Sequence, residues 1–240
     1  MIKDISIGEL PVEKLYQGNA LIWERTHKIP TDYVLRYDFN GDTVDKSSSG
    51  LNGIKTGAIT FQNGRKVGSQ CADFINGCVY TPSALPINSD KVTVSLWANI
   101  RSLGFSCLLE MSTNAAQQKG FASFISDVMG DTIEVFSGNQ DGINLRYIDI
   151  LSFLDTWVHF IFTIDNSQAS EAITTIYINN MKTNSLADGY TGMGGFNFVP
   201  NIFYIGQRAA SGWSFNGQVQ DLRIYNRVLT KDERTALFNE

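Results

Sequence analysis

The chain of 240 residues carries 24 acidic and 19 basic side chains, a net charge of −5 at neutral pH. That sign argues against the phosphates of a nucleic acid, or an anionic membrane surface, as partner. Charged residues are only 18 % and aromatics 12 %, with 21 glycines. This balance suits many short strands joined by tight turns, at a length that buries a core without staples.

Residues 1–28 read differently from the rest. Two short apolar runs, Val12–Tyr16 and Ala20–Trp23, flank Gly18–Asn19, an order that predicts a hairpin with a type II′ turn. A lone hairpin is marginal in water, so Leu15, Tyr16, Ile22 and Trp23 are expected to dock on the rest of this chain, on a copy of it or on another protein. The pattern K-L-Y-x-G-x-x-L-I-W-E resembles short hairpin modules of tailed-bacteriophage virion proteins. No basic segment followed by an apolar one opens the chain, so no secretory signal is expected. His27–Asp32 with Pro30 reads as a linker into a second segment, residues 29–240.

That segment reads as a succession of strands. Val34–Phe39 alternates and runs into the polar loop 40–52 (NGDTVDKSSSGLN). Ser69–Phe74 and Cys78–Thr81 flank Asn76–Gly77, which predicts a two-residue hairpin turn there. Such a turn leaves Cys71 and Cys78 out of register for a bridge, and Cys71, Cys78 and Cys107 read as buried thiols. Val92–Ile100 alternates cleanly, with Val92, Val94, Leu96, Ala98 and Ile100 on one face and Trp97 on the other. Strands follow at Cys107–Met111, Phe121–Val128, Thr132–Phe136 and Leu145–Ile150, then Trp157–Ile164 and Ile173–Ile178 with Asn179–Asn180 as turn. The apolar run around Val158–Ile164 is the longest and far too short to span a bilayer. Phe203–Gly206 and Gly217–Tyr225 complete the strands. Thr230 and Glu233 then form the two halves of a capping box for a short helix.

The closing order F-x-G-x-x-x-D-x-R-I-Y-N-R-x-L-T-x-x-E resembles the end of laminin-G-like domains in the concanavalin A-like lectin/glucanase superfamily. T-x-S-x-W at Thr93–Trp97, W-x-H-x-x-x-T-x-D at Trp157–Asp165 and the hairpin at Asn179–Asn180, where Asn180 stands for the usual Gly, match in the same order. The resemblance covers about Tyr33–Asn239 and implies an all-β jelly-roll sandwich with a short C-terminal helix, its last long strand central. The N-terminal β-hairpin is an extension to it.

Retaining glucanases need two carboxylates about 5 Å apart, and no E-x-D-x-x-E triplet occurs; Glu110, Glu134 and Glu171 are isolated. Of the two histidines, His27 lies in the linker and His159 in a strand motif that the family uses structurally. Neither a zinc set nor a phosphate-binding loop is present. The chain therefore reads as no enzyme. Calcium is the one cofactor the resemblance raises, through Asp42, Asp45 and Asp221, although Gln220 stands where many relatives carry an acid. Two late loops suit a glycan, Asp188–Phe198 and Gln207–Phe215, with Tyr190, Phe196, Arg208 and Trp213 as candidates. The resulting expectation is a bacteriophage virion protein for structure or adhesion, assembled in the host cytoplasm. Its lectin-like domain would bind host-surface glycans, and its hairpin would join other virion proteins or copies of itself. A bacterial carbohydrate-binding module without a viral role is the alternative, and a glycan-active enzyme the second.

Overall fold

The structure, a computed structural model, describes residues 6–7, 10–11, 14–24, 27–111, 119–139, 142–168, 172–187, 195–209 and 212–240; for 6–7, 10–11 and 21–24 it describes the backbone. The chain divides into two compact units, Met1–Pro30 with Thr230–Glu240, and Thr31–Leu229.

In the first unit β1 (Ser6–Ile7) pairs with β2 (Leu10–Pro11), and β3 (Lys14–Gln17) pairs with β4 (Ala20–Glu24), both antiparallel. Gly18 sits at φ +59°, the left-handed setting that the first central residue of a type II′ turn needs. The helix α1 (Lys231–Asn239) starts on the expected box: Thr230 Oγ1 accepts from the Glu233 N–H, and the Glu233 carboxylate accepts from the Thr230 N–H. Asp232 and Glu233 also place negative charge on its N-terminal turn, where the helix dipole favours it.

In the second unit the strands are β5 (Tyr33–Tyr37), β6 (Ile54–Asn63), β7 (Gln70–Tyr80), β8 (Lys91–Ile100), β9 (Ser106–Met111), β10 (Gly120–Ser126), β11 (Thr132–Asn139), β12 (Gly142–Asp149), β13 (Trp157–Asp165), β14 (Thr174–Ile178), β15 (Met181–Lys182), β16 (Leu186–Ala187), β17 (Tyr204–Ile205) and β18 (Gly217–Tyr225). They form one antiparallel sheet in the order β15-β14-β13-β8-β18-β7-β17-β9-β10-β11-β12-β16, with β5 added on β18 and β6 on β7. The sheet curls into two layers over one core, the jelly-roll sandwich that the motifs implied. β18 is central, pairing with β5, β7 and β8.

Alternation explains the layers. Val92, Val94, Leu96, Ala98 and Ile100 of β8 and Val158, Phe160, Phe162 and Ile164 of β13 face inward. Leu108, Phe121, Ile125, Ile133 and Val135 meet them from the β9–β11 layer. Each such side chain removed from water contributes about 1.5–3 kcal/mol, so the inward stripes dominate the stability of the unit. Trp97, on the opposite face of β8, stacks on His159 with centroids 4.9 Å apart.

Asn76–Gly77 is not a turn. Both residues lie inside the continuous strand β7, opposite Gly57 and Ala58 of β6. Glycine is required there by closeness rather than by a reversal of the chain. A Cβ on Gly77 would come within 2.5 Å of the Thr56 carbonyl oxygen and 2.9 Å of the Ala58 nitrogen. The three cysteines are free and buried, and burial raises all three thiol pKa values, that of Cys71 to about 11.

Candidate functional site

The face of β9–β12 turned away from the core carries an aromatic cluster. Register places Cys107 opposite Phe124, Phe124 opposite Glu134, and Phe136 opposite Leu145 on this side. Phe124 meets Phe136 edge-on at 5.4 Å. Above them lies the segment between β17 and β18. Its exit is stitched to the entry of β9 by the Cys107 N–H donating to the Trp213 carbonyl (2.7 Å), and to β7 by the Ser214 hydroxyl donating to Asn76 Oδ1 (2.8 Å).

This stitching holds Trp213 at φ +52°, after Gly212 at φ +92°. A bulky side chain in the left-handed region is a genuine outlier, costing on the order of 1–2 kcal/mol. The setting brings the indole edge-on to Phe105 (4.7 Å, 90°) and to Phe124 (5.9 Å) while leaving it 41 % exposed. Phe105 stacks in turn on Phe124 (5.4 Å, 14°) and is 37 % exposed. Two large aromatics are thus held rigidly with part of their surfaces in water.

Arg208 completes the arrangement. Its guanidinium carbon lies 4.7 Å from the Trp213 ring centroid, within cation–π range. Its Nε is 3.3 Å from Oε1 of Glu110, a carboxylate wholly buried in β9. The other Glu110 oxygen accepts from the Ala209 N–H. Glu110 therefore fixes the arginine and the loop backbone together, and the arginine braces the indole. Next to Phe105 is a shallow apolar cavity of about 300 Å³, bounded by Phe136, Leu145, Val128 and the buried Glu134.

The expected glycan residues separate. Arg208 and Trp213 come together as described. Phe196 instead buries its ring in the core (7 % exposed), edge-on to Phe198 at 5.8 Å. It belongs to the main core and not to the outer cluster, because the strand-free stretch after Gly195 turns its aromatics inward. Tyr190 lies outside the described residues. Phe105 was not foreseen; its only sequence signal is an aromatic between Gly104, at φ +110°, and the strand β9.

The expected metal carboxylates are already engaged by protein donors. Asp45 Oδ1 accepts from the Arg36 and Ser47 N–H groups and Oδ2 from the Leu51 N–H and the Ser47 hydroxyl, at 2.7–3.0 Å. Asp42 caps the Val44 N–H and pairs with Lys46. Asp221 pairs with Arg65 at 3.5 Å, while Gln220 Oε1 accepts from the Arg65 N–H. N–H donors thus order the loop for which the resemblance raised calcium, and no cluster of three metal-ligating side chains occurs among the described residues.

His159 is buried on the face of β13 turned away from the core, under the Trp97 ring. Its Nε2 is 2.9 Å from the Ser95 hydroxyl, and burial together with the charges of Arg65 and Arg223 lowers its pKa to about 3. It is a neutral packing histidine. In the hairpin, Leu15 and Tyr16 are exposed, at 37 % and 54 %, whereas Ile22 and Trp23 stand in β4 with side chains outside the described residues.

The sequence model of the concanavalin A-like lectin/glucanases superfamily matches residues 75–233. Among solved structures, domain 4 of AbnA, a GH43 extracellular arabinanase from Geobacillus stearothermophilus, in complex with arabinotriose, is 22 % identical. It has a TM-score of 0.60 over 86 % of this chain and 98 % of that one. The binding domain of Paraclostridial Mosquitocidal Protein 1 is 17 % identical, with a TM-score of 0.63 over 87 % of this chain and 52 % of that one. The botulinum neurotoxin serotype G binding domain is 13 % identical, with a TM-score of 0.61 over 86 % and 50 %. The chain thus spans about half the length of these toxin binding domains, and at such identities the likeness is one of fold. None of the curated proteins matches the sequence.

Proposed function

Because the chain belongs to the concanavalin A-like lectin/glucanases superfamily, we propose that its sandwich binds glycans on the outer face of β9–β12, through Trp213, Phe105 and Arg208. The observation that carries this is the strained, braced and half-exposed indole of Trp213. Backbone strain persists where surrounding structure enforces it, and such strain clusters at ligand sites. The exposed parts of the two rings offer an apolar surface for the C–H side of a sugar, with the guanidinium N–H donors beside it. The arabinotriose complex of the arabinanase domain makes a pentose oligosaccharide the first probe.

Binding without hydrolysis is part of the proposal. Glu110 and Glu134 share this face, but β10 runs between their strands, with Glu110 opposite Ala122 and Glu134 opposite Phe124. Two strand spacings and the offset along the strands put their Cα atoms roughly 12 Å apart. Glu110 is wholly buried and engaged by Arg208 and the Ala209 N–H, a structural role that leaves no carboxylate of this pair poised on a sugar. A glycan array and calorimetry with arabinotriose test the reading. Trp213→Ala should lose at least about tenfold in affinity; wild-type protein that binds no oligosaccharide at all would overturn it.

The role proposed for the N-terminal unit is attachment, on a bacteriophage virion assembled in the host cytoplasm, with copies of itself or other virion proteins as partners. The phage-like pattern of residues 14–24 and the exposed Leu15 and Tyr16 support it. A free bacterial carbohydrate-binding module is the competing reading. Light scattering separates the two: an assembly should be weakened by Leu15→Ser with Tyr16→Ser, while a module is monomeric with or without them.

A further inference from the structure

The apolar cavity beside the aromatic cluster is built from two strands, a turn and the segment before β9. β11 and β12 pair with Phe136 opposite Leu145 and Gly138 opposite Ile143. Alternation therefore sends Glu134 and Phe136 of β11, with Ile143 and Leu145 of β12, to the same outer face, where they form the floor. Val128 and Met129, from the turn between β10 and β11, and Phe105 are the walls. The turn is fixed: the Val128 N–H donates to the Ser126 hydroxyl (3.1 Å), and Gly130 closes it at φ +89°. It holds Val128 at the rim, 71 % exposed. Val128, Phe105 and Trp213 are thus three large apolar side chains left in water on one face, a pattern that marks ligand sites.

The lining decides what can enter. Among the described residues six of its seven side chains are apolar, and the seventh, Glu134, is buried and already engaged within the protein. A bare sugar ring carries a hydroxyl on most of its carbons, and this lining could serve one of them at most. Every other hydroxyl would leave water without a replacement partner, which is unfavourable. An apolar group gains instead from each atom removed from water, and Phe105 and Phe136 add ring contacts for an aromatic one. Size agrees: an apolar cavity of about 150 Å³ takes a benzene ring, and this one is about 300 Å³. Continuity says what carries the group. Phe105 lines the cavity and also meets the Trp213 indole edge-on at 4.7 Å, so a sugar on Trp213 sits beside the cavity mouth.

We propose that the saccharide bound at Trp213 bears an apolar acyl or aryl substituent, and that this substituent occupies the cavity between Phe105 and Leu145. The inference rests on the glycan reading of the Trp213 site and adds the class of sugar, one that is hydrophobically substituted.

The test titrates the full chain by calorimetry with two sugars that differ only in the substituent, methyl and p-nitrophenyl α-arabinofuranoside, and with p-nitrophenol alone. Arabinotriose, which has no such substituent, checks the Trp213 site separately. The aryl glycoside should bind at least about tenfold more tightly than the methyl one, with a more negative heat-capacity change, the mark of extra apolar burial. Ile143 is half-buried, so Ile143→Trp fills the cavity from its edge. It should abolish the aryl preference and leave the affinity for the methyl glycoside within about twofold. Val128→Asp, at an exposed position, keeps the fold and should cut the preference at least about threefold, because a charge at the rim opposes apolar contact. Trp213→Ala should weaken both glycosides. Equal affinity for the two glycosides, or an aryl preference that survives both cavity variants, would overturn the proposal and leave the glycan site in place. So would p-nitrophenol alone binding as tightly as its glycoside. Failure of every sugar to bind would overturn it together with the glycan reading.

Discussion

Replacing Trp213 by alanine sets a binding role against a structural one, and the structure fixes what each costs. Full burial of a Trp or Phe side chain is worth about 3–5 kcal/mol on truncation to Ala. The indole is 41 % exposed, so roughly six-tenths of that, about 2–3 kcal/mol, is at stake. In a domain of this size the loss lowers Tm by about 5–10 °C. Alanine at φ +52° keeps the backbone strain. Trp213→Gly relieves it, and should therefore be about 1 kcal/mol more stable than Trp213→Ala. Scanning calorimetry on both variants, with arabinotriose titrations at a temperature where both are folded, gives the two readouts. The reasoning expects moderate destabilisation, a more stable glycine variant, and loss of glycan binding in both. A loss well above about 4 kcal/mol would make the ring a plug in the sandwich. Retained binding in folded Trp213→Ala would remove it from the site.

Other expectations follow from buried groups. His159 is held at a pKa of about 3 in the fold, below the roughly 6.5 of a free imidazole. The unfolded chain therefore takes up a proton that the native state refuses. The associated stability is complete above the free pKa and drains as pH falls towards 3, at up to about 1.4 kcal/mol per pH unit. Urea titrations across this window should show a shallower pH slope in His159→Gln; an unchanged slope would refute the assignment. Gly206→Ala forces a Cβ onto the Phe74 ring at φ +87°, and should cost about 3 kcal/mol or more by thermal melt. Because the Asp45 oxygens are filled by N–H and O–H donors, Asp45→Ala should destabilise by about 2–4 kcal/mol. A chelator should leave the wild-type Tm in place; a fall of many degrees on chelation would reveal a cation after all.

What was legible in the sequence was whatever depends on local pattern. Val92–Ile100 shows strict alternation, and its inward and outward sets are those of the fold. Asn179–Asn180 turns with both residues left-handed (φ +49° and +64°), as asparagine permits without glycine. The capping box at Thr230 reads directly from two residues. The strand β6 was missed for a physical reason: it is an edge strand, mostly exposed, and a bulge at Ala58–Ile59 breaks its alternation, so only Ile59 and Phe61 reach the core. Gly77 was misread because a glycine that admits a close neighbour looks, in one dimension, like a glycine that turns the chain. Phe196 was misplaced because a Gly-rich stretch with aromatics fits a binding loop and a core insertion equally. The partnership of Phe105 with Trp213 spans more than a hundred residues and leaves no local trace.

The two outer faces of the sandwich show why alternation cannot by itself assign a site. Each presents a large aromatic beside a basic side chain. On the β8–β13 face, Arg65 lies 4.2 Å over Trp97, Trp97 stacks on His159, and His159 meets Ser95. All of these but Arg65 are buried, and Arg65 is tied down by Asp221 and Gln220. On the β9–β12 face, Arg208 lies over Trp213 in the same way, and Glu110 ties it down in the same way. The difference is the cover. The loop before β7 closes over Trp97, whereas Gly212 and the strained backbone of Trp213 lift that indole into water beside Phe105. One face uses an Arg–Trp pair to seal the fold. The other holds a similar pair open, at a cost in backbone strain that a solely structural role does not require. That asymmetry is what the ligand site proposed on the β9–β12 face rests on.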